Sequence, residues 1–548
     1  MKQFYKSIGT LLVFITASTL WISTSAVEIN GIFYYLSGNT ATVTNKLQSS
    51  YGNSNNYYTN AYSGTITIPN TITYENKTYT VTRIQESAFY DCPELKSITI
   101  PSTITSIGNS FALCPSLKAI IVNTDNPNYS TMGGVLFNKN KTTLIYCPEA
   151  KADDYTIPST VKKIADSAFK DCKRLTSVTI PDCVTSIGDQ AFYLCTALNS
   201  VNIPTSLTFL GNQAFYGDYS LSSTINIPSG VKKIPYCCFD GCTNLNTVLF
   251  SEGLEIIDIC AFRICGSLHN ITFPSTLKKF GQWCFGQCSS IESITIPNGI
   301  TELPYGSFYR CNLTSIELPE TLQKIGDNAL CGNNLSIINI PKSVTYIDAG
   351  GLHQEYTKCN VYVHNSPSQI AISNNNPFNK KGLKIHVYAP FVEAFKTTPY
   401  WNVYADYIIG DISVEPVTSI TFEKNSINIS PNSEGKLTAI VKPDEASIKD
   451  VTYTSSNENV VIILDNNGRF MALEPGTATI TATTTDGSGV KNTCNIIVSD
   501  GATSIEENIV DAQKVVSIYD TNGKQIKGLK NGLNIVKYID GSTRKITK

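Results

Sequence analysis

The sequence predicts a mainly β protein with short irregular or 3-10 segments, built as a repeat solenoid, a β-sandwich and a small C-terminal β module. Three observations predict it. A motif of about 23 residues recurs from about residue 85 to 355. Alternating β sequence with turn signals fills 416–500, and 504–548 holds two turns, Asp520-Thr521-Asn522-Gly523 and Asp540-Gly541, between apolar runs. Composition narrows the function classes. Charged residues are 16 % of the chain, and 42 Lys plus Arg nearly balance 44 Asp plus Glu. Such a chain has no long-range field to steer it onto nucleic acid or an anionic bilayer. Four His and three Met offer little for metal or general-base chemistry.

At the N-terminus, Lys2 and Lys6 precede an apolar run from Ile8 to Ile22, and Ser23-Thr24-Ser25-Ala26 is small. This reads as a secretory signal peptide over 1–26, too short to span a bilayer. The first cysteine is Cys92, which argues against a lipoprotein anchor. An exported mature chain without a transmembrane span is expected. Residues 27–84 alternate Tyr, Thr and Ile around Gly and Asn, the pattern of β-hairpins capping the first repeat.

Residues 85–410 are the solenoid with its terminal cap. IPSTVKKIADSAFKDCKRLTSVTI from Ile157 is followed by IPDCVTSIGDQAFYLCTALNSVNI from Ile180. Phe169, Phe192, Phe215, Phe239, Phe262, Phe285 and Phe308 keep the same beat, Phe89 and Phe111 begin it, and Leu330 closes it. A period of 20–29 residues with an L-x-x-V-x-I strand core is the mark of a leucine-rich-repeat solenoid. Leu175, Val178 and Ile180 point inward from a short strand, Pro181 stops it, Val184 and Ile187 re-enter the core, and Ala191-Phe192 turns the corner. One turn cannot bury its apolar side alone, so the Phe residues should stack into a continuous spine. The segment 123–150 interrupts the beat and reads as a longer, two-strand turn. After the array, Pro390 to Thr398 suggests a short helix, with Tyr400 and Trp401 as an aromatic lid.

Seventeen cysteines would ordinarily suggest disulfides. Here Cys92, Cys114, Cys172, Cys195, Cys242, Cys265, Cys288 and Cys311 share one slot, three residues after the Phe. Cys238 and Cys284 take the Ala slot. The reading is a reduced core ladder of small hydrophobes. Stacked turns about 4.8 Å apart permit disulfides, but parallel Cα–Cβ vectors rarely suit them. No paired Cys-x-x-Cys motifs point to zinc.

The residue between the last two inward positions of each strand should face outward, on the concave side. That row is Thr99, Ile121, Thr179, Asn202, Asn226, Leu249, Thr272, Thr295, Glu317 and Asn339. Ten stacked strands would present a sheet about 45 Å wide, carrying small hydroxyl and amide groups with Glu317 as the ionisable member of the row. Thr and Ser also simply suit a solvated parallel sheet. As a site, the row is a neutral docking face for a protein segment or a glycan, with weak salt dependence. No His-x-x-x-His pair, G-x-S-x-G elbow or phosphate-cradling loop is present, so no catalytic, cofactor or metal residue is assigned.

The I-P-x-x-V-x-x-I-x-x-x-A-F-x-x-C phrase resembles the BspA-like, or Treponema pallidum-type, leucine-rich repeats. Asp218 for Cys, Ser251 for Pro and Leu330 for Phe are its departures. Residues 416–500 resemble the bacterial Ig-like group 2 domain through V-x-x-I-x-F from Val417, Lys442-Pro443, Tyr453 to Asn457, and GRFMALEPGTATITA from Gly468. Tyr453 stands where that family usually has Trp, and Cys494 should be a buried strand residue. Residues 504–548 are similar to Bacteroidetes C-terminal secretion tails. Together the resemblances imply a non-enzymatic adhesion or interaction protein, secreted and held at the cell surface with the outer membrane. The implied partner is an extracellular or surface protein, such as a host matrix protein. The alternative is a glycan-binding protein or weak glycan-directed hydrolase, for which Tyr57, Tyr58, Tyr62, Tyr400 and Trp401 are the aromatics to watch.

Overall fold

The computed structural model describes residues 26–45, 62–354 and 358–499, and segments 515–519, 524–526, 533–538 and 543–547. Residues 1–25 of the expected leader, the turns at 520–523 and 540–541, and Tyr57 and Tyr58 lie outside the described residues. The chain is mostly β, with 3 % helix, a β-solenoid of about 14 turns and an Ig-like domain toward the C-terminus. It divides into two compact units, Met1–Lys384 and Ile385–Lys548.

The first unit opens with an antiparallel meander, Val27–Ile29, Ile32–Ser37 and Thr40–Thr44. Thr40–Thr44 then runs parallel to Lys77–Ile84, which pairs in parallel with Ser106–Ile107. The meander thus feeds one side of the coil. Its Tyr34 and Val43 share an apolar cluster with Ile84 and Phe89.

Each coil then has three sides. One is the expected strand, as in Arg174–Thr179 between Ala152–Thr156 and Ser200–Val201, in parallel register. The second is a two-residue strand, as in Lys163–Ile164, Ser186–Ile187 and Phe209–Leu210. The third is the Ala-Phe corner, where Phe169 N–H donates to Ala191 O (2.7 Å) and Phe192 N–H to Ala214 O (2.7 Å). Left-handed residues flank that corner, such as Gln190 (φ 55°) and Leu194 (φ 56°), and turn each N–H toward the next coil. At the strand end, Pro181 O accepts from Val184 N–H (3.1 Å), closing a turn that needs no donor from the proline.

The rings from Phe169 to Phe308 form one column, with successive centroids 4.8–5.5 Å apart and planes within 7°. All seven are fully buried. At the interruption, Tyr146 packs on Phe111 at 5.4 Å and Tyr155 on Phe169 at 5.9 Å, so aromatics line both sides of the break. The interruption itself has three strands rather than two. Tyr129–Met132, Val135–Asn138 and Thr143–Tyr146 form antiparallel pairs, and the third rejoins the parallel ladder beside Lys163–Ile164.

The strand side is also less regular than ten continuous strands. No strand forms around Thr272, because Asn270 sits in the left-handed region (φ 51°), which an extended strand cannot accommodate. The two bulky residues in the last inward slot there, Phe250 and Phe273, pack edge-on against Phe262 and Phe285.

The second unit begins with a parallel strand pair. Ile385, His386 and Tyr388 pair in parallel with Ile408, Ile409 and Ile412. Between them lie the 3-10 turn Ala389–Phe391, the helix Val392–Thr397 and the 3-10 segment Trp401–Tyr407. Phe395 meets Trp401 edge-on at 4.9 Å. The sandwich from Ser419 to Val498 holds nine short strands rather than about seven. Its largest sheet orders Ser426–Ile429, Lys491–Val498, Gly476–Thr484 and Val451–Ser455. Phe470, Ile480, Cys494 and Ile496 are fully buried in its core. In the tail, Gln525–Ile526, Val515–Tyr519, Leu533–Tyr538 and Thr543–Thr547 form an antiparallel sheet in that order.

Candidate interaction surface

Strand pleating fixes the outward row. Val178 and Ile180 are buried and Thr179 between them is exposed, and the same alternation recurs from coil to coil. Nine of the ten expected residues are exposed; Thr99 is half-buried. The register sets Thr99 beside Ile121, Asn226 beside Leu249, and Thr295 beside Glu317. Thr295 Oγ1 donates to Glu317 Oε2 at 2.9 Å. Asn202 is tied into the frame, since its amide donates to Ile180 O and accepts from Ile180 N–H, both at 2.7 Å. Leu249 is 53 % exposed and Ile121 47 %. They belong to different ladders and form single apolar points rather than a patch.

The row is longer than the ten positions. Thr67 pairs with Thr99, Thr156 with Thr179 and Tyr362 with Asn339. Sequence reasoning missed these three because the meander, the interruption and the degenerate last turns blur the motif around them. Toward this end Glu317 and Asn339 edge a shallow hollow of about 410 Å³, lined also by Ile316, Leu318, Lys342 and His364. Burial first, and Lys342 second, hold the His364 imidazole below its ordinary pKa.

The Ala-Phe corner carries a second surface that the strand pattern does not reveal. Tyr193 and Tyr216, each one residue after a core Phe, stack at 4.9 Å with planes 7° apart. Lys170 Nζ covers the Tyr193 ring at 4.9 Å and donates to Gln190 Oε1 at 2.9 Å. Farther along, Trp283 meets Tyr305 and Tyr309 edge-on at 5.3 and 5.1 Å. The signal in the sequence is the same 23-residue beat, read one residue after each Phe for Tyr193, Tyr216 and Tyr309, and two or three before it for Trp283 and Tyr305.

Of the aromatics to watch for glycan contact, Tyr62, Tyr400 and Trp401 fall among the described residues. Tyr62 is buried, donating to Thr44 O and accepting from Phe33 N–H. Trp401 is buried too, whereas Tyr400 beside it is exposed. The rings of Tyr62 and Trp401 are taken up in apolar packing, where an amphipathic aromatic buries most area. The Tyr193–Tyr216 pair spends its facing ring surfaces on each other.

The interior is lined with thiols and holds the buried acids Asp218 and Glu149. Among the described residues all seventeen cysteines carry unbridged thiols, and all but Cys183 and Cys331 are buried. Core-slot thiols point at the Phe carbonyl of the preceding coil: Cys195 to Phe169, Cys265 to Phe239 and Cys311 to Phe285, at 2.9–3.1 Å. Asn333 takes the same role on Phe308 O at 2.9 Å. Asp218 breaks the series. Its Oδ1 accepts from Cys195 N–H at 2.8 Å, but Oδ2 is buried with no partner, and burial raises its pKa well above the carboxylate range. Glu149 is a second buried acid, pushed up to about 7 chiefly by burial. His386 is held by Asp411, whose carboxylate oxygens lie 2.8 and 2.9 Å from Nδ1.

The chain matches known protein families. The family model described as BspA type leucine rich repeat region matches residues 30–153, 145–265, 211–321 and 284–402. That of the bacterial Ig-like domain (group 2) matches 416–494. An uncharacterized protein of Clostridium acetobutylicum is 44 % identical over 91 residues, 17 % of this chain and 9 % of that protein. An alpha-L-arabinofuranosidase of Bifidobacterium longum is 31 % identical over 149 residues, 25 % of this chain and 14 % of that enzyme. This chain therefore matches only a small part of either relative's length. A leucine rich cell surface protein from Faecalibacterium prausnitzii aligns with a TM-score of 0.39 and 26 % identity, over 64 % of this chain and 94 % of that one. Because the repeat model matches well over half of it, the chain belongs to the BspA-type leucine-rich-repeat family and carries a bacterial Ig-like group 2 domain.

Proposed function

We propose that this is a non-catalytic interaction protein that holds an extracellular or surface protein against the outward strand row of its solenoid, from Thr99 to Asn339. The observation that carries the reading is the row itself: nine of its ten members are exposed, and Glu317 is its single charge. A face of this kind, about 45 Å long, can bury the roughly 800 Å² per partner that a stable complex needs. Leucine-rich repeats generally bind proteins, and neither they nor Ig-like modules are usually catalytic. The glycan reading loses support from the burial of Tyr62 and Trp401.

Purified full-length protein, immobilised and probed with a panel of extracellular-matrix proteins and a glycan array, separates the readings. Capture of a matrix protein is expected, and Asn226→Glu with Leu249→Glu should abolish it without changing the thermal transition. Affinity should vary less than about threefold between low and moderate salt, because few charges meet across the face. Glycan hits without protein capture, or a steep salt dependence, would overturn the proposal.

We also propose that 1–26 directs export and that 504–548 places the protein at the cell surface. Among the described residues no helix is long and apolar enough to cross a membrane. Deleting 504–548 should move the protein out of the surface fraction; unchanged fractionation refutes a sorting role.

A further inference from the structure

One pair of cysteines departs from the core ladder. Cys237 and Cys260 stand two residues before Phe239 and Phe262, in the left-handed corner position (φ 50° and 56°) that other coils fill with Ser167, Gln190 or Trp283. They are on successive coils, at the rim of the solenoid, 4 % and 9 % exposed. Their sulfur atoms lie within 4.8 Å of each other. Arg263, half-exposed, completes the group and grips both oxygens of buried Asp240 at 2.7–3.2 Å.

We propose that Cys237 and Cys260 are a redox-active dithiol that closes to a disulfide by exchange with a small-molecule disulfide. Cys260 is the attacking thiolate and Cys237 the resolving thiol. Cys260 Sγ attacks one sulfur of the small disulfide, whose S–S bond breaks and releases a thiolate that takes up a proton. Cys237 then gives up its proton and attacks Cys260 Sγ in the mixed disulfide, expelling the second small thiol. The protein loses two protons and two electrons, and the small disulfide becomes two thiols.

Three observations support these roles. Cys260 is the more exposed of the two, 9 % against 4 %, and the neighbouring Cys237 thiol, followed by the Arg263 charge, holds its pKa down against its own burial, while burial raises those of core thiols such as Cys195, Cys242 and Cys311. Coils about 4.8 Å apart fall inside the Cα window of a disulfide; the parallel Cα–Cβ vectors of one slot on successive coils require a corner to shift on closure, and the rim has room for that shift and for a mixed disulfide that the packed column lacks. Lastly, Cys237 Sγ, Cys260 Sγ and an Asp240 oxygen lie within 4.8 Å of one another, which could suggest a cation site. Both Asp240 oxygens are already bonded to Arg263, so an incoming cation would have to displace a guanidinium and then sit beside its charge.

The test uses oxidised glutathione on the folded, reduced full-length protein. Native thiol titration should fall by two, and mapping after cleavage at Glu252 or Glu255, together with cleavage at Asp240 or Asp258 between the two cysteines, should find a Cys237–Cys260 link. Cys237→Ser should trap one glutathione on residue 260, whereas Cys260→Ser should form neither adduct nor link. If either variant fails to fold, phenylarsine oxide serves on the unaltered protein: one equivalent should bind and protect both cysteines from alkylation. Links scattered among core pairs such as Cys147–Cys172, adducts confined to Cys183, or one equivalent of zinc that survives an equimolar weak chelator would each overturn the proposal.

Discussion

The solenoid and the sandwich bury the same kinds of side chain by opposite means. In the solenoid a buried group's partner is its counterpart one coil away. Cys265 Sγ reaches Phe239 O, 26 residues back, at 3.1 Å. Ser206, Thr276 and Ser343, each two residues after a Pro, reach Val184 O, Leu254 O and Leu322 O at 2.6–2.8 Å, each 21 or 22 residues back. In the sandwich, Cys494 Sγ reaches Lys424 O, 70 residues away, at 3.2 Å, and Val417 N–H donates to Asp486 Oδ2, 69 residues away. The first arrangement multiplies one short-range solution; the second closes a single long-range core. Damage should therefore stay local in the solenoid and spread through the whole sandwich.

The largest expected effect sharpens that contrast. Phe239→Ala and Phe470→Ala each empty a fully buried ring site, costing about 3–5 kcal/mol. Hydrogen exchange should rise only in the coils around 192–285 for the first, and across 416–498 for the second. Uniform exchange along the whole solenoid in Phe239→Ala would break the comparison.

Asp218 tests the ladder from within. Its folded-state pKa lies above the unfolded value, so its contribution is fully present below about pH 3.9 and is lost as pH rises toward the folded value. Asp218→Cys restores the donor that neighbouring coils use, and it should raise the melting temperature more at pH 8 than at pH 5. Glu149, held near 7 by burial, acts in the same direction between about pH 4.5 and 7. Glu149→Gln should flatten that part of the profile, and an unchanged slope in both variants would refute these assignments.

The smallest effect comes from the two cysteine roles. Cys265→Ala and Cys494→Ala each leave a carbonyl without its thiol donor, for about 1 kcal/mol apiece. Chemical denaturation should show the Cys494→Ala loss in the sandwich transition alone. Equal shifts of every transition in both variants would mean that the two regions do not unfold as distinct structures.

Much of this was legible. The Phe beat gave the column, and the cysteine slot gave the reduced ladder, because residues at equal places in successive repeats must lie against each other. The hydroxyl ladder after the prolines was equally readable in P-x-Ser and P-x-Thr, yet its positions look like ordinary turn residues until each oxygen is seen to have a carbonyl one coil back. Asn270 was not legible as a break, because a left-handed residue leaves the apolar pattern intact. The burial of Tyr62 and Trp401 was not legible, because a sequence does not show which aromatics a core takes up.

By itself the sequence determined who stacks on whom, since a fixed period makes each residue the neighbour of its own counterpart. The tertiary structure decided what each neighbour finds there. Backbone angles at the corners aim the Cys265 thiol at a carbonyl and bring the Cys237 and Cys260 sulfurs within 4.8 Å of each other, and burial leaves one oxygen of Asp218 without a partner. Direction and solvent access depend on three-dimensional packing, which a one-dimensional repeat does not encode.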